Sequence, residues 1–211
     1  MYKLAVFDFD STLMDGETLE FIAKEVNLEK EIKEITSLAM QGKLDFFESL
    51  IKRVAMLKGI EKKKVDAICA GLPLMNGAKT TIKELKKQGI TVVCFSGGFQ
   101  NALEPASEVL DLDGYFCNVF HVKNNLLTGL VGGDMMFSDS KGTTLKNLQN
   151  ILKISPAETI VVGDGANDIS MFGQADCRIA FCAKDVLKQE ASIIIDDKDL
   201  TLILDEIYEK K

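Results

Sequence analysis

Short apolar runs alternate with longer amphipathic segments along most of the chain. Four of these runs are too short and too uniformly apolar for surface helices, and helical patterns separate them. Such runs predict buried strands of a parallel sheet. The predicted strands are 3–7 (KLAVF), 90–95 (ITVVCF), 159–163 (TIVVG) and 177–181 (CRIAF). Alternating strands and helices predict an α/β fold with a doubly wound, Rossmann-like parallel sheet as its core.

Several segments between the predicted strands have apolar residues three and four positions apart, the spacing of one helix face. Segment 143–153 has this stripe, and segment 77–89 ends at a glycine, a common helix stop before a strand. The C-terminal segment has the stripe Leu200, Ile203, Leu204 and Ile207. Segment 116–137 instead predicts one strand followed by a small β-hairpin that turns near Asn124 and Asn125.

One region breaks the alternation of strands and helices. From about Thr18 to Leu72 the sequence has only helical patterns and no strand pattern. We therefore expect a helical cap subdomain, residues 17–72, inserted after the first strand of a core domain. That core domain would comprise residues 1–16 and 73–211.

The composition is that of an ordinary globular protein of 211 residues, 46% of them hydrophobic, which suits one domain or one domain with an insertion. The net charge of −7 and the lack of tryptophan argue against a nucleic-acid surface of basic stripes and stacking aromatics. No segment has the length of a transmembrane helix or the flanks of a signal peptide, so we expect a cytoplasmic protein without a membrane partner. The five cysteines form no C-x-x-C pair, which favours reduced, mostly buried thiols.

Polar residues follow three of the predicted strands. They are Asp8 and Asp10 after the first, Ser96, Gly97 and Gly98 after the second, and Asp164, Asn167 and Asp168 after the third. Each group alone has an ordinary alternative as turn or helix-cap chemistry. However, the carboxyl ends of parallel strands open on one crevice, where ligands bind, so we expect the three groups to converge.

The first group carries an electrostatic cost. Side chains two apart in a strand share a face, about 6.6 Å apart along the chain. Two negative charges at that spacing repel by roughly 2.5 kcal/mol at an effective dielectric near 20. A bound cation, a shared proton or solvent exposure must offset this repulsion. Asp8, Asp10 and Asp164 offer oxygen ligands of the kind that Mg²⁺ prefers.

Other site chemistries find little support in the sequence. His121 is the single histidine and lies in an apolar strand context, which favours a structural role over a catalytic one. No cysteine is followed six residues later by arginine, and no G-x-x-x-x-G-K-[ST] motif occurs. Carboxylate chemistry with a hard cation remains. Ser96, the Gly97 amide at an expected helix start, Asn167 and Lys141 would be suitable donors for phosphate oxygens, although Lys141 alone could be a surface charge.

The motifs DFDST, SGG, a lysine before a helix, and GDGANDISMF, in that order, resemble the four motifs of the haloacid dehalogenase superfamily. The helical insertion after the first motif resembles the helical cap of that superfamily. A fuller match, including ETLEFIAKE, GKLDFFESLIKRVAMLKG and SGGF, is similar to the phosphoserine phosphatase family and extends over essentially the whole chain.

This resemblance implies a role for each matching residue. Asp8 would be the nucleophile that becomes an aspartyl phosphate, and Asp10 the general acid and then the general base. Mg²⁺ would be held by Asp8, the backbone carbonyl of Asp10 and Asp164, with Asp168 on its waters. The phosphoryl oxygens would be bound by Ser96, Gly97, Lys141 and Asn167. Glu17 would bind the substrate ammonium and Arg53 its carboxylate, with Met40 and Phe46 closing over the site.

Without the resemblance, Glu17 would be interpreted as an ordinary first-turn acid and Arg53 as an exposed helix charge. With it, we expect a Mg²⁺-dependent phosphatase that converts O-phospho-L-serine to L-serine and phosphate, the last step of serine biosynthesis. The alternatives are a related phosphatase or phosphotransferase for another small phosphorylated metabolite, and a non-catalytic Mg²⁺ and phosphate sensor. We expect a monomer or homodimer, and no feedback through an additional N-terminal regulatory domain.

Overall fold

The computed structural model describes residues 1–208, which form a seven-stranded sheet flanked by helices. Its strands are β1 (Leu4–Phe7), β2 (Thr91–Phe99), β3 (Gly114–Lys123), β4 (Leu126–Gly133), β5 (Thr159–Gly163), β6 (Cys177–Phe181) and β7 (Ile193–Ile195). The strand order is β4-β3-β2-β1-β5-β6-β7, and all neighbours are parallel except β3 and β4. The α/β fold with a doubly wound sheet is thereby confirmed.

Helices follow β1, separate most of the later strands and end the described chain. They are α1 (Thr18–Ala23), α2 (Glu29–Met40), α3 (Phe46–Met56), α4 (Lys62–Ala70), α5 (Ala78–Lys87), α6 (Gln100–Leu110), α7 (Ser140–Leu152), α8 (Ile169–Phe172), α9 (Asp185–Lys188) and α10 (Leu202–Tyr208). No helix within residues 1–208 is long and apolar enough to cross a membrane.

The register of the central strands brings the predicted site segments to one edge of the sheet. Phe7, the last residue of β1, lies level with Cys94 in β2 and Val162 in β5. The polar residues that follow these positions therefore leave the sheet side by side. Alternate β1 residues contribute to separate apolar clusters, Ala5 and Phe7 to one and Leu4 and Val6 to the other, because successive strand side chains point to opposite faces.

Helices α1 to α4 fill the chain between β1 and α5, and residues 18–72 contain no strand, as the pattern predicts. This helical region is joined to the sheet at the β3–β4 hairpin. The Gly59 N–H donates to the Leu127 carbonyl and the Leu127 N–H to the Ile60 carbonyl, both at 2.8 Å. Phe47 of α3 also stacks on Phe137, with ring centroids 5.0 Å apart.

The hairpin differs from the predicted strand followed by a separate hairpin. β3 is one continuous strand that pairs with β2 near its start and with β4 along its remaining length. Its turn falls at Asn124 and Asn125 as predicted. Both have positive φ, 51° and 61°, which Asn tolerates better than most residues and which suits a two-residue hairpin turn.

Candidate active site

The residues predicted for the site meet in one cleft at the carboxyl ends of β1, β2 and β5. The cleft is lined by Asp8, Asp10, Glu17, Leu19, Met40, Phe46, Arg53, Gly97, Gly98, Asp164 and Asn167. The other predicted residues, Ser96, Lys141 and Asp168, are buried and joined to lining residues by hydrogen bonds or ion pairs.

Asp8 directly follows β1 and is almost completely buried, with 3% of its surface exposed. Its Oδ1 accepts a hydrogen bond from the Phe9 N–H at 2.7 Å and lies 2.7 Å from Lys141 Nζ. Burial, and next the charge of Asp168, raise the pKa of Asp8 to about 7 against the opposing effect of Lys141. A further positive charge is therefore needed to hold Asp8 fully ionised near neutral pH.

Lys141 and Asp168 form a buried ion pair behind Asp8. Lys141 Nζ lies 2.6 Å from Asp168 Oδ1, while Asp168 Oδ2 accepts the N–H groups of Asp164 and Gly165 at 3.0 and 3.1 Å. Burial alone would lower the pKa of Lys141, but attraction to Asp168 and Asp8 raises it, so the lysine remains protonated. With 2% exposure, Lys141 is not the surface charge that the ordinary alternative assumed.

Asp8, Asp164 and Asp168 form an acidic cluster in which one oxygen of each lies within 4.8 Å of the others. Asp164 is 3% exposed, and burial followed by repulsion from Asp8 raises its pKa well above the usual range. Both Asp168 oxygens already have protein partners, which leaves Asp8 and Asp164 as the better-placed ligands. A buried set of carboxylate oxygens with too little positive charge fits a hard divalent cation.

Asp10 has surroundings quite unlike those of Asp8. Its Oδ1 accepts from the Thr18 N–H at 2.9 Å and from the Thr18 hydroxyl, the first residue of α1. Burial raises its pKa against these hydrogen bonds. The two neighbouring carboxyl groups are thus held by different partners, one by a lysine and one by a helix N-terminus.

Glu17 lies immediately before α1 and faces the cleft. Its Oε1 accepts a 2.7 Å hydrogen bond from Ser11, whose φ of +59° is rare for a residue other than glycine. Burial, and next the charge of Asp10, raise the pKa of Glu17 to about 8. Its position in the cleft distinguishes it from an ordinary first-turn acid.

Arg53, on α3, is 4% exposed and so is not an exposed helix charge. Its Nε donates to the Ser49 carbonyl at 3.2 Å and its Nη1 to Thr36 Oγ1 at 3.0 Å. Burial lowers its pKa although Glu17 and Asp10 act in the opposite direction. A buried guanidinium beside a cleft is suited to a carboxylate or phosphate ligand.

The glycines after Cys94 permit close approach in the cleft. A Cβ at Gly97 would lie 2.6 Å from the Phe46 ring, so any larger residue would displace that ring. Gly97 is not at a helix start as expected, because β2 continues to Phe99 before α6 begins. The fully buried Ser96 hydroxyl accepts the Gly98 N–H at 2.9 Å.

Asn167, Met40 and Phe46 complete the lining of the cleft. Asn167 is 7% exposed, and its Oδ1 has no hydrogen-bond partner within the described part of the chain. A Cβ at Gly165 would lie 2.7 Å from Met40 Sδ, so the end of α2 reaches the loop after β5. The cleft therefore contains a buried polar group, on Asn167, next to the apolar side chains of Met40 and Phe46.

The sequence did not point to several residues that hold the predicted ones in place. Thr18 binds Asp10, Ser11 binds Glu17, and Thr36 binds Arg53. Thr18 carries a recognisable signal, since threonine favours helix starts. Thr36 and Arg53 are 17 residues apart on different helices, and no spacing rule relates them.

A comparison with protein families gives the class of this fold and site. A family model described as a haloacid dehalogenase-like hydrolase matches residues 2–176, which is most of the chain. The chain is therefore a hydrolase of the haloacid dehalogenase-like class.

Comparison with similar proteins identifies the family within that class. The chain is 56% identical to a phosphoserine phosphatase of Wolinella succinogenes over 96% of its own length and 98% of the relative's. A phosphoserine phosphatase of Methanocaldococcus jannaschii is 47% identical, with 96% of both chains covered. Within its class, the chain belongs to the phosphoserine phosphatase family, as the sequence motifs predicted.

Solved structures agree with this assignment. A structure described as a phospho-aspartyl intermediate analogue of phosphoserine phosphatase has a TM-score of 0.94 and 46% identity, covering 97% of this chain and 98% of that one. A substrate-bound phosphoserine phosphatase complex has a TM-score of 0.95 at the same identity, covering 98% of both chains.

Proposed function

We propose that this chain hydrolyses O-phospho-L-serine to L-serine and phosphate through an aspartyl phosphate on Asp8, with Mg²⁺ as cofactor. One observation carries the proposal: two chemically distinct groups of charged residues share one cleft. The strand group, Asp8, Lys141, Asp164 and Asp168, suits a cation and a phosphoryl group. The helix group, Glu17 and Arg53, suits an ammonium and a carboxylate, the remaining charged groups of phosphoserine.

The relatives support the reaction. Proteins about half identical to this chain over nearly its whole length are phosphoserine phosphatases. One similar structure is described as a phospho-aspartyl intermediate analogue and another as a substrate complex. The proposed reaction, the final step of serine biosynthesis, follows from these relatives together with the charges in the cleft.

For the metal, Asp8, Asp164 and the main-chain carbonyl of Asp10 would hold Mg²⁺, with Asp168 acting through its waters. Support comes from the buried oxygen donors and from the raised pKa of Asp164, which burial and the charge of Asp8 produce. When bound, Mg²⁺ neutralises negative charge on the carboxylates and on the phosphoryl oxygens.

In the first chemical step, an Asp8 oxygen forms a bond to phosphorus while the bond from phosphorus to the serine oxygen breaks. Asp10 gives its proton to the departing oxygen, which yields the serine hydroxyl. The raised pKa of Asp10, caused by burial, favours the protonated form that this transfer requires. Lys141, 2.7 Å from Asp8, favours the ionised form of the nucleophile.

In the second step, the Asp10 carboxylate accepts a proton from water as the water oxygen attacks phosphorus. The bond between Asp8 and phosphorus breaks, which releases phosphate and regenerates the carboxylate. Ser96, the Gly97 amide, Lys141 and Asn167 would bind the phosphoryl oxygens in both steps. Asn167 lines the cleft, and its side-chain amide N–H groups are suitable donors to phosphoryl oxygens.

We further propose that residues 17–72 act as a cap subdomain over a core of residues 1–16 and 73–211. Met40 and Phe46 would close over the bound substrate, which is supported by the close approach of Met40 to Gly165 and of Phe46 to Gly97. Closure of this kind excludes bulk water from the reacting groups. A cytoplasmic monomer or homodimer remains the expected form, and light scattering would test its size.

A substrate panel tests the function. Phosphate release is measured for phosphoserine, phosphothreonine, a phosphosugar and an aryl phosphate, each with and without Mg²⁺. We expect phosphoserine to have the highest kcat/KM and chelation to abolish turnover. A phosphosugar preferred over phosphoserine would instead indicate another metabolite phosphatase, and binding of Mg²⁺ and phosphate without turnover would indicate a sensor.

A further inference from the structure

Arg53 is fixed by oxygens of its own helical region before any ligand arrives. Its Nε donates to the Ser49 carbonyl, one turn earlier in α3, at 3.2 Å. Its Nη1 donates to Thr36 Oγ1, on α2, at 3.0 Å. A guanidinium has five N–H donors in a rigid plane, so two such bonds fix its orientation and leave three donors for other partners.

Thr36 is itself held so that it can only accept from Arg53. Its hydroxyl proton is donated to the Ile32 carbonyl at 2.9 Å, one turn earlier in α2. The oxygen lone pairs then remain for the guanidinium. Thr36 is 3% exposed and Arg53 is 4% exposed, so water has little access to replace either partner.

The same helix connects this contact with the cover of the cleft. Thr36 and Met40 are four residues apart in α2 and therefore share a helix face. Met40 lines the cleft near Gly165, whereas Thr36 reaches across to Arg53 on α3. Placement of the guanidinium is thus tied to the helix that brings Met40 into the lining of the cleft.

We propose that Thr36 is a positioning residue that aims Arg53 at the carboxylate of the substrate and so contributes to the preference for amino-acid phosphates. This inference rests on the proposed function. Thr36 does not line the cleft and acts only through Arg53. Its loss should therefore weaken recognition of the carboxylate while leaving the phosphoryl chemistry unchanged.

The test compares Thr36→Val, which keeps the shape but removes the acceptor, with Thr36→Ser, which keeps the hydroxyl. We expect Thr36→Val to raise KM for phosphoserine about tenfold, as expected for one lost hydrogen bond to a charged group. The kcat for phosphoserine and the kcat/KM for an aryl phosphate should change less than about twofold, and Thr36→Ser should resemble the wild type. Equal losses on both substrates would overturn the inference.

A double-mutant cycle separates positioning from general support of the helices. In an Arg53→Met background, adding Thr36→Val should leave KM for phosphoserine unchanged, because Thr36 then has no guanidinium to aim. A further loss similar to that in the wild-type background would contradict the inference. If Thr36→Val does not fold, Thr36→Cys, a poor acceptor of similar size, replaces it in both arms. Wild-type enzyme without phosphoserine turnover would instead overturn the proposed function itself.

Discussion

The strand group and the helix group are held in the same cleft by different kinds of structure. Asp8 and Asp164 follow paired strands, so sheet register sets where their backbones lie. Glu17 and Arg53 depend on individual side-chain hydrogen bonds, from Ser11 to Glu17 and from Arg53 to Thr36. A sheet edge provides precise geometry for bond-making groups, whereas substitutions on helices can change selectivity with less effect on that geometry.

The two groups also differ in how their charges are paired. In the strand group a buried lysine lies between two carboxylates, 2.7 Å from Asp8 and 2.6 Å from Asp168. In the helix group Glu17 and Arg53 attract each other, but within residues 1–208 they form no ion pair. Charges in the strand group are thus already paired with one another, while the charges of Glu17 and Arg53 remain available to a ligand.

The largest effect is expected from Asp8→Asn. Losing the nucleophile should reduce kcat by roughly 10,000-fold or more on phosphoserine and on an aryl phosphate alike. Phosphate release in steady state measures this, with circular dichroism as the control for folding. A variant that kept a tenth of the wild-type rate would exclude Asp8 as the nucleophile.

Lys141→Met should have the next largest effect. Removing a charge donor to the phosphoryl group should reduce kcat roughly a thousandfold. It also leaves Asp8 and Asp168 without their buried cation, which should cost about 3 kcal/mol of unfolding free energy. Urea unfolding in the presence of Mg²⁺ measures the stability, and Lys146→Met, an exposed lysine on the same helix, is the matched control.

Arg53→Met tests the helix group alone. Loss of the guanidinium should reduce kcat/KM for phosphoserine about a hundredfold, since a carboxylate loses about two charged hydrogen bonds. The same variant should change kcat/KM for an aryl phosphate less than about threefold. Lys52→Met, the exposed neighbour in α3, should leave both values unchanged.

A smaller effect concerns pH and Glu17. Folding raises its pKa from 4.5 to about 8, chiefly through burial and then through the charge of Asp10. A carboxyl group whose pKa is higher in the folded state stabilises that state when it is protonated. For Glu17 this stabilisation is complete below pH 4.5 and is lost as pH rises through about 8. Between about pH 5 and about pH 8, Tm measured by thermal unfolding should therefore fall less for Glu17→Gln than for the wild type. Parallel Tm curves for the two proteins would contradict this assignment.

Two simple patterns made the aspartates of the strand group accessible from sequence, whereas Lys141, on α7, needed the family resemblance. Apolar runs located β1, β2 and β5, and parallel strands place the residues after them at a common edge. The predicted convergence of Asp8, Ser96 and Asp164 follows from that rule. Family resemblance supplied the separate roles of these residues, which spacing alone left open.

The contacts of the helix group were not accessible in the same way. Whether Thr36 reaches Arg53 depends on how α2 packs on α3, and periodicity predicts the buried face of a helix but not its partner. The short β7 was missed because a run of only three isoleucines is shorter than a usual strand signal. β3 was divided in two because its two edges pair over different stretches, one with β2 near the start of the strand and the other with β4 further along.

The division between the two groups is tested most directly by one ratio, kcat/KM for phosphoserine divided by kcat/KM for an aryl phosphate. It is measured in wild type, Lys141→Met and Arg53→Met. We predict that Lys141→Met lowers both kcat/KM values and leaves the ratio within about threefold of wild type, whereas Arg53→Met lowers the ratio by at least about thirtyfold. A ratio that fell equally in both variants would contradict the separation of phosphoryl chemistry from substrate recognition.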